Sequence, residues 1–143
     1  MIDNLVSSPV TRMLEQTMSF TEQRHDVLLA DIANASTPGY VQKDISVAEF
    51  QGALRDAVKR QGESLNGTYE PNSGETVAFE PGSSTVTAKP TDTVNGVAFH
   101  DRGVRNMEYL MSQMADNALA HNVTAQLLKG RYDQMARAIS MKV

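Results

Sequence analysis

The stretch MEYLMSQMADNALAHNVTAQLLKGRYDQMARAI, residues 107–139, decides the fold. Met107, Met111, Met114, Ala118, His121, Ala125, Leu128, Tyr132, Met135 and Ile139 recur at alternating spacings of four and three, the repeat of a helix with one buried stripe. His121 is the single strongly polar member. No proline falls between residues 101 and 143, so nothing stops a helix over 101–141 that is about 60 Å long at 1.5 Å per residue. Such a rod cannot bury its stripe against itself, so partner helices are required.

One partner is available near the start of the chain. Ser8-Pro9 opens a helix, with Ser8 expected to cap it through its side chain and Pro9 at the first helical position, where a missing N–H is harmless. Leu14, Met18, Thr21, His25, Leu28, Ile32 and Ala35 follow the same four-three spacing, and Met13, Phe20 and Val27 make a second row that broadens the apolar face. Thr37-Pro38-Gly39 ends it, because Pro38 disfavours helical geometry at Thr37 and Gly39 readily takes positive φ.

Between the helices the composition changes. In residues 46–60, Val47, Phe50, Leu54, Ala57 and Val58 fit a short amphipathic helix ending near Gly62. Residues 61–96 hold 21 Gly, Pro, Ser, Thr or Asn, which reads as a loop ordered only on assembly. Thr76–Phe79 and Ser84–Thr87 have strand character, and Pro81-Gly82 permits a small hairpin, although few apolar side chains are present to hold it. The chain therefore divides into 1–40, 41–60, 61–97 and 98–143, acting as one structural unit. The expected class is mainly α, with long N- and C-terminal helices paired as a coiled-coil-like hairpin around an irregular or weakly β middle.

Composition narrows the chemistry. Leu, Ile, Val and Phe supply only 31 of 143 residues, near the level below which chains fail to build a core, so part of the core is expected from neighbouring subunits. A formal charge of −4 argues against nucleic acid as a partner. No apolar run is long enough to span a bilayer, so no direct membrane insertion is expected, and the first residues lack the basic and apolar regions of a cleaved signal peptide. The chain has no cysteine, and His25, His100 and His121 are scattered without metal-ligand spacing. No nucleotide-binding glycine loop or nucleophile elbow occurs, and His100-Asp101 reads more simply as the acidic start of a helix than as part of a triad. No catalytic residue, cofactor or metal is expected. His25 and His121 have two open readings: ordinary seam histidines, or polar groups that fix helix register.

Leu28-Leu29-Ala30-Asp31-Ile32-Ala33-Asn34-Ala35-Ser36-Thr37-Pro38-Gly39-Tyr40, followed by Lys43-Asp44 and Phe50, resembles the N-terminal signature of the flagellar rod and hook axial-protein family. Asp31 and Ser36 stand where that signature more commonly has Asn. Residues 114–139 look like the ending of a proximal rod member, and the acidic-aromatic ending typical of its nearest rod relative is absent. The resemblance implies a structural subunit of the basal body rod, located in the periplasm and exported by the flagellar type III apparatus without a cleaved signal peptide. It implies partners in other copies of the chain and in neighbouring rod proteins. On that reading Asn34, Pro38, Gly39 and Tyr40 form the turn that redirects the chain. Leu14, Met18, Leu28 and Ile32, together with the whole stripe from Met107 to Ile139, supply assembly contacts. Another rod subunit, or a soluble helical export chaperone or adaptor, stays open as an alternative.

Overall fold

The computed structural model describes residues 8–63, 68–93 and 102–140. Helix α1 (Pro9–Ala33) leads through a short strand β1 (Lys43–Asp44) to helix α2 (Val47–Glu63). A hairpin of β2 (Val77–Phe79) and β3 (Val86–Ala88) follows, then β4 (Thr91–Asp92) and the long helix α3 (Arg102–Ser140). The class is mainly α, with long terminal helices and small antiparallel strands between them. The reading placed on His100-Asp101 lies outside the described residues.

Helix α1 starts with Pro9 in its first turn, and the Ser8 carbonyl accepts from the Arg12 amide at 3.1 Å. The Ser8 side chain makes no capping hydrogen bond, contrary to expectation, so the start rests on proline geometry and backbone bonding. The helix ends at Ala33, earlier than the apolar spacing through Ala35 suggests. Helix α2 ends at Glu63, one residue past Gly62, where the sequence places its end.

The middle of the chain corrects the reading of a loose loop. Strands β2 and β3 pair antiparallel, with Val77 opposite Ala88, Ala78 opposite Thr87 and Phe79 opposite Val86. Glu80-Pro81-Gly82-Ser83 turns between them, with the Ser83 amide donating to the Glu80 carbonyl at 3.0 Å and Gly82 at φ +75°. Proline second and a positive-φ glycine third is the chemistry of a type II turn. Strand alternation points Val77 and Phe79 inward and Ala78 outward.

Those few apolar side chains suffice because distant residues complete them. Phe20, Ile45, Phe50, Val77, Phe79 and Val86 form one buried cluster, with Val27, Val47, Ala53, Leu54 and Ala88 packed around it. Phe50 stacks between two rings, its centroid 4.0 Å from that of Phe20 and 5.9 Å from that of Phe79. Polar side chains fix the hairpin at both edges. The Gln23 amide donates to the Val86 carbonyl and accepts from the Ala88 amide, which covers the free edge of β3 as a neighbouring strand would. On the other side the Glu49 carboxylate accepts from the Thr76 and Val77 amides at 2.9 and 3.0 Å and from the Thr76 hydroxyl at 2.6 Å. The Thr76 hydroxyl, with these amides, holds the Glu49 carboxyl below its usual range. Gly74 leaves room for this carboxylate, and a Cβ there would push it out of place.

Among the described residues, no side chain of α3 enters this cluster. The long helix instead lies along α1, and that second, more polar interface carries the candidate assembly residues.

Candidate assembly site

The turn after α1 is built by its own side chains. Asn34 takes the C-cap position, where its backbone amide and its side-chain Nδ2 both donate to the Ala30 carbonyl, at 3.1 and 2.8 Å. The Thr37 amide donates to the Asn34 carbonyl at 2.9 Å and the Tyr40 amide to the Thr37 carbonyl at 3.2 Å. Pro38 and Gly39 sit at the exposed tip, and Gly39 adopts φ +78°, a backbone region that a side chain disfavours.

Asp31 holds the returning chain. It is almost wholly buried, and its carboxylate accepts from the Tyr40 hydroxyl at 2.8 Å and from the Lys43 amide at 3.1 and 3.2 Å. The hydrogen bond to Asp31 raises the Tyr40 pKa, because loss of the phenol proton would set two anions together. The sequence marks Asp31 only as a departure from Asn. A carboxylate accepts at both oxygens, which suits a position receiving two donors.

Arg24 joins three elements. Its Nε and Nη2 donate to the two Asp44 oxygens at 2.9 Å each, a bidentate pair, and Nη2 also donates to Gln113 Oε1 at 2.6 Å. Arg24 is buried, so these partners replace the water its guanidinium gives up. Replacing Arg24 with Met is expected to lower unfolding stability by about 2–3 kcal/mol, since Asp44 loses its counter-charge and Gln113 its donor. Arg24→Lys is expected to recover only part of that loss, because an ammonium cannot reproduce the planar fork. Urea titrations of the three proteins check both; equal stability of wild type and Arg24→Met would contradict the role.

The α1–α3 seam runs through polar groups. Leu110, Asn117 and Thr124, seven residues apart, are the buried positions of α3 among the described residues. Asn117 Nδ2 donates to the Thr21 carbonyl at 2.8 Å. The Thr21 hydroxyl donates to the Met18 carbonyl at 2.9 Å and meets His121 Nδ1 at 2.9 Å, which makes Nδ1 the donor in that contact. Nearer the end of α3, the Tyr132 hydroxyl donates to Glu15 Oε1 at 2.6 Å, and the other Glu15 oxygen accepts from Ser84 in the hairpin turn. That bond to Glu15 raises the Tyr132 pKa.

The expected interface residues are divided by this arrangement. Leu14 and Leu28 are buried in α1, and Met18 and Ile32 half-buried. On α3, Met107, Met114, Ala118, His121, Ala125, Leu128 and Met135 are half-buried, whereas Met111, Tyr132 and Ile139 are exposed. The centre of the seam thus lies one residue to the side of the apolar stripe, on Leu110, Asn117 and Thr124. Their heptad spacing is visible in the sequence, but two of the three are polar, so apolar periodicity does not mark them. Asp31, Arg24 and Gln113 carried no local signal, since their partners lie 9 to 89 residues away.

Among the described residues no group of His, Asp and Glu side chains is placed to hold a metal ion, and no helix is long and apolar enough to cross a membrane. No protein-family model matches the chain. Two curated proteins, both described as flagellar basal body rod protein FlgB, one from Escherichia coli K12 and one from Shigella flexneri, are each 24% identical to it over 139 residues. The alignment spans 97% of this chain and 97% of each relative.

Proposed function

We propose that this chain is a structural subunit of the bacterial flagellar rod, assembling through its terminal helices with further copies and neighbouring rod proteins. Within that class its part is that of an FlgB-like proximal rod subunit, helping to transmit torque from motor to hook for motility. The carrying observation is likeness to FlgB over nearly the whole of both chains. Three features agree with it. Long terminal helices lie side by side, the tight turn at Asn34–Tyr40 is built by its own side chains, and apolar residues of α3 remain uncovered in one chain.

The physical role follows from the packing. The central cluster gives the chain a body of its own, while α1 and α3 meet through hydrogen bonds and leave Met111, Tyr132 and Ile139 for contacts between copies. Export through the flagellar type III apparatus and residence in the periplasmic rod belong to the same proposal. Apolar area on a monomer of this size is suited to burial in an assembly.

Deleting the gene is expected to abolish flagella and swimming, with restoration by the wild-type gene. A density map of isolated basal bodies should show the chain in the rod. Normal flagella in the deletion strain, or a stable soluble complex with export substrates in place of rod density, would favour the chaperone reading.

A further inference from the structure

The buried seam of α3 stops well before the helix does. Leu110, Asn117 and Thr124 are buried, but Arg131, the next position at the same seven-residue spacing, is exposed. From Lys129 to Ser140 every residue is exposed except half-buried Met135. Among the described residues, one hydrogen bond ties this end of α3 to another element: the Tyr132 hydroxyl donates to Glu15 Oε1 at 2.6 Å. Glu15 Oε2 accepts from the Ser84 hydroxyl in the hairpin turn. One carboxylate of α1 thus holds the end of α3 and the turn together, through hydrogen bonds of the stronger, charge-assisted kind.

A glycine sits where the seam gives out. Gly130 lies inside α3, two residues before Tyr132, and no atom stands within 4 Å of the place its Cβ would take. Packing therefore gives no reason for glycine at this position. A helix interior disfavours glycine relative to alanine, because its backbone has more freedom to lose, so Gly130 weakens the turn just ahead of Tyr132.

We infer that α3 has a hinge at Gly130, and that Glu15, Ser84 and Tyr132 form the latch that holds it shut. Closed, the latch keeps residues 131–140 in line with the seam. Opened, it lets them bend at Gly130 and carry Met135 and Ile139 toward a neighbour. Opening leaves the aromatic cluster and the buried seam positions in place, since none of them lies beyond Thr124 in α3. The device belongs to the free chain and stands on these contacts alone, so its failure leaves the rod proposal untouched.

The chain has no cysteine, so spin labels can be placed singly. Labels at Gln51→Cys in α2 and Ala136→Cys, both exposed positions, span the hinge. The doubly labelled chain is expected to give one narrow distance distribution by electron spin resonance. Tyr132→Phe should broaden it, and adding Gly130→Ala should narrow it again. Amide hydrogens of residues 131–136 should exchange about tenfold faster in Tyr132→Phe, the effect of losing one charge-assisted hydrogen bond, with those of residues 114–124 unchanged. Ser84→Ala should act in the same direction, because Ser84 orients the Glu15 carboxylate. Unchanged width and exchange in Tyr132→Phe would overturn the proposal. So would faster exchange along the whole of α3, which marks a plain packing contact, or a broadened distribution that Gly130→Ala fails to narrow.

Discussion

A chain carrying Phe50→Ala is expected to lose about 3–5 kcal/mol of unfolding stability, read as a large fall in the urea midpoint. Phe50 is the middle ring of the Phe20–Phe50–Phe79 stack and lies in the buried cluster that ties α1, α2 and the hairpin together. Truncation leaves a ring-sized gap that two flat neighbours cannot close without leaving their own positions. A small domain is stable by about 5–15 kcal/mol, so the loss removes a large share of the whole. Two controls give the result its meaning. Leu119→Ala, on the exposed side of α3, should change stability by no more than about 0.5 kcal/mol. Leu14→Ala, in α1 but outside the cluster, should cost less than Phe50→Ala. If Leu14→Ala proves the more damaging, the helix pair and not the hairpin cluster is the main core.

Gly39→Val is expected to leave synthesis intact and to block assembly and swimming. Gly39 holds φ +78° at the tip of the turn, where a β-branched side chain costs roughly 1–2 kcal/mol and drives the backbone back to negative φ. That cost alone would not unfold the chain. Its consequence lies downstream: the Tyr40 hydroxyl and the Lys43 amide reach Asp31 only if the chain reverses at Gly39, and Asp44 must then meet Arg24. A change at the exposed tip is thereby passed to β1 and, through Gln113, to α3. Immunoblots of whole cells and swimming assays separate the two effects. Wild-type swimming by the Gly39→Val strain would show that the turn geometry is not needed for assembly, and loss of the protein itself would place the defect in folding. Gly39→Ala, which carries the same φ conflict without β-branching, should give an intermediate phenotype.

Both expectations depend on features that were unequally legible. That α1 stops before the turn could be read from Thr37-Pro38-Gly39, because proline and glycine act on their own dihedral angles and those of the residue before, but its actual end at Ala33, capped by Asn34, could not. The long helix could be read from its four-three spacing for the same local reason. The hairpin could not be trusted from sequence. Val77, Phe79 and Val86 are too few to bury one another, and their partners Phe20 and Phe50 lie in helices where they looked like members of other stripes. Polar contacts were harder still. Nothing near Gln23 says that its amide will edge a strand 63 residues away, and nothing near Asn117 says that it will be buried against Thr21.

The sequence by itself determined the elements and, to within a turn, where they stop: two long helices, a short amphipathic one and a turn-rich middle, all set by interactions within a few residues. Tertiary structure decided which faces those elements present. It put the main core on the hairpin side of α1, gave the α1–α3 seam to Leu110, Asn117 and Thr124, and turned Leu119, Val123 and Leu127 outward. The physical reason is that periodicity records which residues share a face, whereas burial depends on what that face meets. A polar side chain can occupy the centre of a seam when a distant group completes its hydrogen bonds, and an apolar one can be left outside when its partner is another molecule.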